Sequence, residues 1–194
     1  MDYEKLIENL IERGYFILED FLSPELCSLI IHECDQLPLK KAKIGKGPEE
    51  KQVEEIRNDS IYWLDDNSPC AWELAYLNEV DKIRVILNQS LYLGLKQYEG
   101  HFARYDEGGF YKKHVDQFQS NNDRLVSLIT YLNTPENGGQ LRVYKKENTE
   151  EIECDIAPRA GMLVCFLSKE LYHEVLPTKN TRYSLTGWLR TNIK

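Results

Sequence analysis

The chain has no apolar run approaching the ~18 residues that a membrane-spanning helix needs. Its opening Met1-Asp-Tyr-Glu-Lys carries acidic residues where a secretory leader carries basic ones, and no cleavage site follows, so a signal peptide is not expected. Cysteine is sparse and unpaired. The five residues at 27, 34, 70, 154 and 165 form an odd set without C-x-x-C spacing, which argues against a disulfide framework or a zinc site and for a reducing compartment. Basic charge is also short, with 24 Lys and Arg against 32 Asp and Glu and a net charge of −8. A protein that tracks a phosphate backbone normally carries the opposite field, so nucleic acid is not an expected partner. Internal repeats and low-complexity tracts are absent. These features lead us to expect one cytoplasmic domain spanning 1–194, long enough for a single core and without a membrane partner.

Helices come first along the chain, then strands. Asp2 is placed to cap a helix through Arg13, with Leu6, Ile7, Leu10 and Ile11 on its apolar side and Gly14 as its stop. Tyr15 to Leu18 reads as a strand. Ser23-Pro24 opens a second helix, with Leu26, Leu29, Ile30, Cys34 and Leu37 at helical spacing and Pro38 as its end. Ser68-Pro69 opens a third helical region, expected to run with one break to about Leu93 and to supply Trp72, Leu74, Ala75, Ile83, Ile86 and Leu87 to a core. From Tyr98 onward, short runs rich in Val, Ile, Leu and aromatics are punctuated by Glu107-Gly-Gly109, Asn137-Gly-Gly139 and Arg159-Ala-Gly161, the turn signals of antiparallel sheet. The expected architecture is α+β, with helices packed on one face of a β-sandwich. Periodicity alone does not distinguish a jelly-roll from another sandwich.

The residues that carry chemistry are His114, Asp116, His173 and Arg182. His-x-Asp is weak evidence by itself, but on an extended strand positions i and i+2 face the same way, so both side chains can reach one ion. A later histidine completes two imidazoles and a carboxylate, the facial triad that holds Fe(II) and leaves positions open. The segment from Arg182 to Leu189 alternates Arg182, Ser184, Thr186 and Trp188 against Tyr183, Leu185, Gly187 and Leu189. An arginine sharing a face with tryptophan suits a carboxylate-binding pocket better than a plain core. In Leu125 to Asn133, Ser127, Ile129 and Tyr131 share a face, which would put a phenol within reach of the same carboxylate. His32 reads as a solvated helix residue and His101 as a sheet or edge residue, neither with a partner that completes a site. Lys40-Lys41-Ala-Lys43-Ile-Gly-Lys46-Gly-Pro48 reads as a solvated loop.

The run Tyr105-Asp-Glu-Gly-Gly-Phe-Tyr111-Lys-Lys-His114-Val-Asp116, with Tyr131-Leu-Asn, Gly138-Gly139-Gln-Leu141-Arg, His173-Glu-Val-Leu-Pro177 and Thr181-Arg182-Tyr-Ser-Leu-Thr186-Gly-Trp188, resembles the Fe(II)/2-oxoglutarate dioxygenases. More narrowly it resembles their prolyl hydroxylase branch, which includes the hypoxia-inducible-factor prolyl hydroxylases and bacterial relatives. Ile56-Arg57-Asn58-Asp59-Ser60-Ile61-Tyr62-Trp63 and Gly14 to Leu22 extend the likeness over most of the chain. The resemblance implies a double-stranded β-helix, or jelly-roll, over about 98–192, supported by helices and a first strand within 1–97. It makes His114, Asp116 and His173 the iron ligands and Arg182 the partner of the distal carboxylate of 2-oxoglutarate. Tyr131 would bond that carboxylate, Ile129, Thr186 and Trp188 would line the pocket, and Tyr105 would touch the cosubstrate. The loop between Tyr105 and His114 is one residue shorter than in those relatives. Residues 38–56 match a flexible loop that closes over substrate.

The resemblance further implies hydroxylation of a prolyl residue in a protein or peptide, with O2 consumed, succinate and CO2 released, and ascorbate keeping iron ferrous. Elongation factor Tu is a candidate substrate for a bacterial enzyme. The alternatives are the same chemistry on a free amino acid, another side chain or a small molecule, and a non-catalytic metal-binding module. Nucleobase demethylases of this superfamily carry a second arginine where this chain has Trp188. A zinc hydrolase would leave Arg182 without a job.

Overall fold

The computed structural model describes residues 3–43, 53–65, 69–117 and 123–192. Its centre is a seven-stranded antiparallel sheet in the order β1-β9-β6-β11-β4-β3-β2, faced by a four-stranded sheet in the order β5-β10-β7-β8. The larger sheet contains β1 (Tyr15–Leu18), β2 (Lys40–Lys41), β3 (Ser60–Trp63), β4 (Gln97–Tyr105), β6 (Arg124–Tyr131), β9 (Leu163–Leu167) and β11 (Arg182–Arg190). The smaller contains β5 (Tyr111–His114), β7 (Leu141–Tyr144), β8 (Ile152–Ile156) and β10 (His173–Val175). Helices α1 (Tyr3–Arg13), α2 (Pro24–Cys34) and α3 (Ala71–Leu91) cover the outer face of the larger sheet. Among the described residues no helix is long and apolar enough to cross a membrane.

The larger sheet is buried on both faces, and the period-2 alternation of its strands divides the side chains between two cores. Val126, Leu128, Leu185, Leu189 and Phe102 face the helices and pack with Leu10, Ile30, Tyr76, Val80, Ile83 and Leu87. Ala103, Tyr105, Ile129 and Tyr131 face the smaller sheet and pack with Leu141, Val143, Phe166 and Val175. The alternation expected for β11 is therefore realised, with Arg182 and Trp188 directed into the sandwich cavity. Strands β1, β2 and β3 from the first half of the chain extend the same sheet.

On the helix side, the Tyr98 ring lies across Gly100 and Gly187 and donates to or accepts from Tyr76 Oη at 3.0 Å. A Cβ on Gly187 would stand 2.4 Å from Tyr98 Oη and 2.5 Å from the Glu99 carbonyl oxygen. Backbone cannot yield there as a flexible side chain could. Gly187→Ala is expected to destabilise the fold by about 2–3 kcal/mol, measurable as a lower denaturation midpoint at unchanged slope.

Helix ends follow local chemistry. Gly14 at φ +81° ends α1 and its N–H bonds the Leu10 carbonyl at 3.1 Å; Asp2, expected as the N-cap, lies outside the described residues. Ser23 Oγ caps α2 by accepting from Leu26 N–H at 3.2 Å. That helix ends at Cys34, short of the expected stop at Pro38, because the Gln36 and Leu37 amides turn back onto Glu33 and Cys34 in i→i+3 bonds. Its buried side centres on Cys27, Ile30 and Cys34, which leaves Leu29 45% exposed. The third helix runs without the expected break, starting at Ala71 where the Glu73 carboxylate accepts from Cys70 N–H at 2.7 Å. Its apolar stripe is Trp72, Tyr76, Val80, Ile83 and Leu87, so Leu74 points outward at 49% exposure. The expected loop at 38–56 is described only at its ends, where Lys40–Lys41 pairs with Ile61 and Ser60 on β3.

Candidate active site

Antiparallel pairing of β10 with β5 sets His173 opposite His114, with ring centroids 4.3 Å apart. Asp116 lies two residues beyond His114 in a bend just past the end of β5, not on the strand itself. The side-chain ligand atoms of His114, Asp116 and His173 all lie within 4.8 Å of one another. Asp116 Oδ1 is 3.4 Å from His114 Nε2 and 3.8 Å from His173 Nε2.

Hydrogen bonds orient these groups for a cation. The Nδ1 atoms of His114 and His173 face the carbonyls of Lys112 and Leu171 at 2.7 and 3.0 Å. A carbonyl only accepts, so each Nδ1 carries the proton and each Nε2 presents a lone pair to the centre of the cluster. Asp116 Oδ2 accepts from Ser127 Oγ at 2.7 Å, and Ser127 is itself joined to Ser168 Oγ at 2.8 Å. Burial pushes the Asp116 carboxyl up, but the charge of the His173 and His114 rings when they are protonated, with the Ser127 hydroxyl, outweighs it and holds the group well below the usual carboxylate range. It is ionised at neutral pH. Tyr111 stacks on His114 at 3.6 Å and Phe166 meets the His173 ring edge-on at 4.7 Å, fixing both imidazoles. Two neutral imidazoles and one carboxylate on one side of an open cavity are the donor set that suits Fe(II).

Ser127→Ala removes the bond to the outer carboxylate oxygen while leaving the three donors in place. Iron affinity is expected to fall about 10- to 100-fold, read by titration against a competing chelator.

The cavity, about 890 Å³ of atom-free space including its open mouth, also receives Arg182, Tyr105, Ile129, Thr186 and Trp188. Arg182 is 1% exposed. Its Nε donates to the Gly139 carbonyl at 3.1 Å and its Nη1 to Ser184 Oγ at 3.2 Å, and its guanidinium lies 4.9 and 4.8 Å from the Tyr105 and Tyr131 rings. No carboxylate pairs with it among the described residues. A buried guanidinium without a counter-ion is unfavourable unless a ligand supplies one, so the cavity fits an anion with a planar carboxylate at this end. Tyr131 is fully buried beneath the guanidinium and its hydroxyl has no partner in the described protein. Tyr105 lies directly opposite Arg182 in the β4–β11 register, inside the cavity. Of the expected cofactor-binding residues, all except Tyr131 line the cavity wall itself.

The outer wall contains residues whose roles sequence reasoning did not assign. Arg124 lies 3.5 Å over the Trp188 ring and is held by Glu99 at 3.2 Å, which also pairs with Arg190 at 3.1 Å. Arg57 is held by the buried Asp59, donating Nε to Oδ1 at 2.8 Å, and covers the Tyr111 ring at 4.4 Å. Trp63, 46% exposed, stands at the mouth. His101, expected as a sheet or edge residue, lies within the sheet, in the middle of β4 between β11 and β3, and lines the cavity. His32 is exposed, as its helix position suggested.

Burial, with Arg57 and Arg124 nearby, pushes the His101 imidazole down to about 3. Burial and His114 push His173 down to about 4, against the pull of Asp116 and the Leu171 carbonyl. Unfolded histidine titrates near ~6.5, so between that value and the folded ones the unfolded state binds protons that the folded state does not. Metal-free protein should therefore lose stability as pH falls below about 6.5, with His101 alone costing about 2 kcal/mol by pH 5. Melting chelator-treated protein at both pH 7 and pH 5 checks this, and His101→Gln, which cannot titrate, should narrow the difference.

Comparison with known proteins agrees with this geometry. The family model described as the 2OG-Fe(II) oxygenase superfamily matches residues 100–190. A hypoxia-inducible factor prolyl hydroxylase of Caenorhabditis elegans is 28% identical over 95% of this chain, which spans 28% of that protein's length. Among solved structures, a Pseudomonas putida prolyl-4-hydroxylase superposes with TM-score 0.84 at 36% identity, covering 98% of this chain and 100% of that one. A Trichoplax adhaerens prolyl hydroxylase, solved with a hypoxia inducible factor oxygen degradation domain peptide fragment, gives 0.83 at 25% identity, covering 97% of this chain and 89% of that one. With the His, Asp and His cluster facing a buried arginine in one cavity, this chain belongs to the 2OG-Fe(II) oxygenase superfamily, among the homologues of the prolyl hydroxylases.

Proposed function

We propose that this chain is a catalytic domain that hydroxylates a prolyl residue in a protein or peptide, consuming 2-oxoglutarate and O2 and releasing succinate and CO2. The observation that carries this reading is Arg182, buried without a carboxylate partner among the described residues in the cavity where His114, Asp116 and His173 converge. Fe(II) with 2-oxoglutarate supplies the oxidation of an aliphatic C–H bond when both are bound. His114, Asp116 and His173 hold the iron, and Arg182 receives the distal carboxylate, aided by the Tyr131 hydroxyl. Tyr105, Ile129, Thr186 and Trp188 shape the pocket and exclude water. No side chain has to act as a strong base. Ascorbate serves to keep the iron ferrous.

The prolyl assignment is supported by the relatives named above, one of which was solved with a peptide bound. Elongation factor Tu is the protein substrate to test first for a bacterial source. A cytoplasmic setting is supported by the five cysteines, all free.

The test is succinate formation by Fe(II)-loaded protein with 2-oxoglutarate, with and without proline-containing peptides and elongation factor Tu, followed by mass spectrometry of the products. Peptide-stimulated turnover with one added oxygen on proline is the expected result. Turnover that no prolyl substrate stimulates would reject the assignment while leaving the oxygenase class intact.

A further inference from the structure

One group in the cavity wall is used by neither the iron cluster nor the carboxylate site. His101 lies opposite Thr186 on β11 and Trp63 on β3, and is only 3% exposed. Its ring is held between Trp63, edge-on at 5.0 Å, and Trp188, tilted at 5.7 Å. Neither ring nitrogen has a hydrogen-bond partner among the described residues. Nδ1 is fully enclosed without one, which leaves Nε2 as the nitrogen open to the cavity. Orphaned buried N–H groups are rarer than under-satisfied acceptors, so Nδ1 holds the lone pair and Nε2 carries the proton. The wall thus presents a neutral imidazole N–H donor between two tryptophans, beside the charged guanidinium of Arg124. A polar group left unsatisfied inside a protein lowers stability, and positions that break local rules in this way are expected at functional sites.

We propose that His101 Nε2–H donates a hydrogen bond to a backbone carbonyl of the peptide segment that carries the target proline, so that His101 is a specificity-determining residue. The inference rests on the prolyl reading above and extends it. Two observations favour a peptide carbonyl over the cosubstrate. The ring contacts of His101 are with Trp63 at the mouth and with Trp188, a wall residue shared with the cosubstrate pocket but six residues along β11 from Arg182 and overlaid by Arg124, whereas the carboxylate end of the cavity is built around Arg182. Burial beside Arg57 and Arg124 keeps this imidazole neutral, and a neutral donor matches an uncharged acceptor where a carboxylate is matched by a cation. A prolyl residue has no N–H of its own, so the segment around it is rich in acceptors relative to donors.

The test compares the Fe(II)-loaded wild type with His101→Leu and His101→Gln. Peptide KM and 2-oxoglutarate KM are measured for each. Cosubstrate binding is followed separately by anaerobic titration of the visible charge-transfer band, and stability by melting. His101→Leu is expected to raise the peptide KM about tenfold while leaving 2-oxoglutarate KM and the titration within about twofold, and to melt no lower than wild type. His101→Gln, whose side-chain amide N–H reaches a similar place, is expected to recover most of the peptide affinity. An unchanged peptide KM in the Leu variant, or an equal rise for the cosubstrate, would overturn the assignment. So would a marked loss of melting temperature in both variants, which would mark a structural role. If wild type consumes 2-oxoglutarate but hydroxylates no prolyl peptide, the prolyl reading fails first and this inference falls with it; if wild type acts on peptide and the Leu variant matches it, this inference alone falls.

Discussion

Asp116→Ala is expected to abolish turnover, with a loss on the order of 10³-fold or more, and to release the iron. Asp116 is the one carboxylate of the cluster and the one group whose negative charge offsets that of a divalent ion. Its Oδ1 lies nearest both histidine Nε2 atoms, and its Oδ2 is fixed by Ser127. With a methyl group there, two neutral imidazoles remain, a weaker and less defined site. The check is iron content after desalting alongside succinate formation. Retained iron and turnover in this variant would contradict the ligand assignment.

Arg182→Met should produce a different failure. The iron stays, because Arg182 does not belong to the His, Asp and His cluster, but the 2-oxoglutarate requirement rises by about 10²-fold or more, since truncating one partner of a buried hydrogen-bonded charge pair costs about 2–5 kcal/mol. Methionine keeps much of the volume in a site that is 1% exposed, so lost packing is a minor part of the effect. Without ligand, no carboxylate among the described residues pairs with the wild-type guanidinium, and its removal should cost little stability. Added 2-oxoglutarate should then raise the melting temperature of wild type by mass action and leave that of the variant nearly unchanged. Equal loss of iron in both variants would contradict the separation of roles.

The difference between what was legible in the sequence and what was not follows sequence distance. Arg182 to Trp188 alternate on a single strand, so a short window shows which side chains share a face, and His114 and Asp116, two apart, are close enough to meet even though Asp116 falls in the bend past β5 rather than on the strand. The Gly14 stop, the Ser23 cap and the first strand are local for the same reason. What escaped depends on neighbours brought in from far along the chain. Ser127 was visible on the face of Ile129 and Tyr131, but its hydrogen bond to Asp116 exists only because β6 faces the bend after β5. His101 reads only as a sheet or edge residue, because nothing near it in sequence reveals that β3 and β11 flank it and turn its ring into the cavity. Arg124 gains its place over Trp188 through Glu99 and β11, equally remote. The errors in the helices are of phase: Leu29 and Leu74 are apolar and at plausible spacing, but Leu29 lies one position from Ile30 and Leu74 two positions from both Trp72 and Tyr76, off the stripes that are buried.

The two histidines come from the smaller sheet, while the serine that fixes the carboxylate between them stands on the larger one. An ion bound by all three side chains would therefore act as a staple across the sandwich, tied on one side through β5 and β10 and on the other through Asp116 to β6. Metal occupancy and the coherence of the two layers become one equilibrium, so whatever strips the iron also loosens the short strands that carry its ligands.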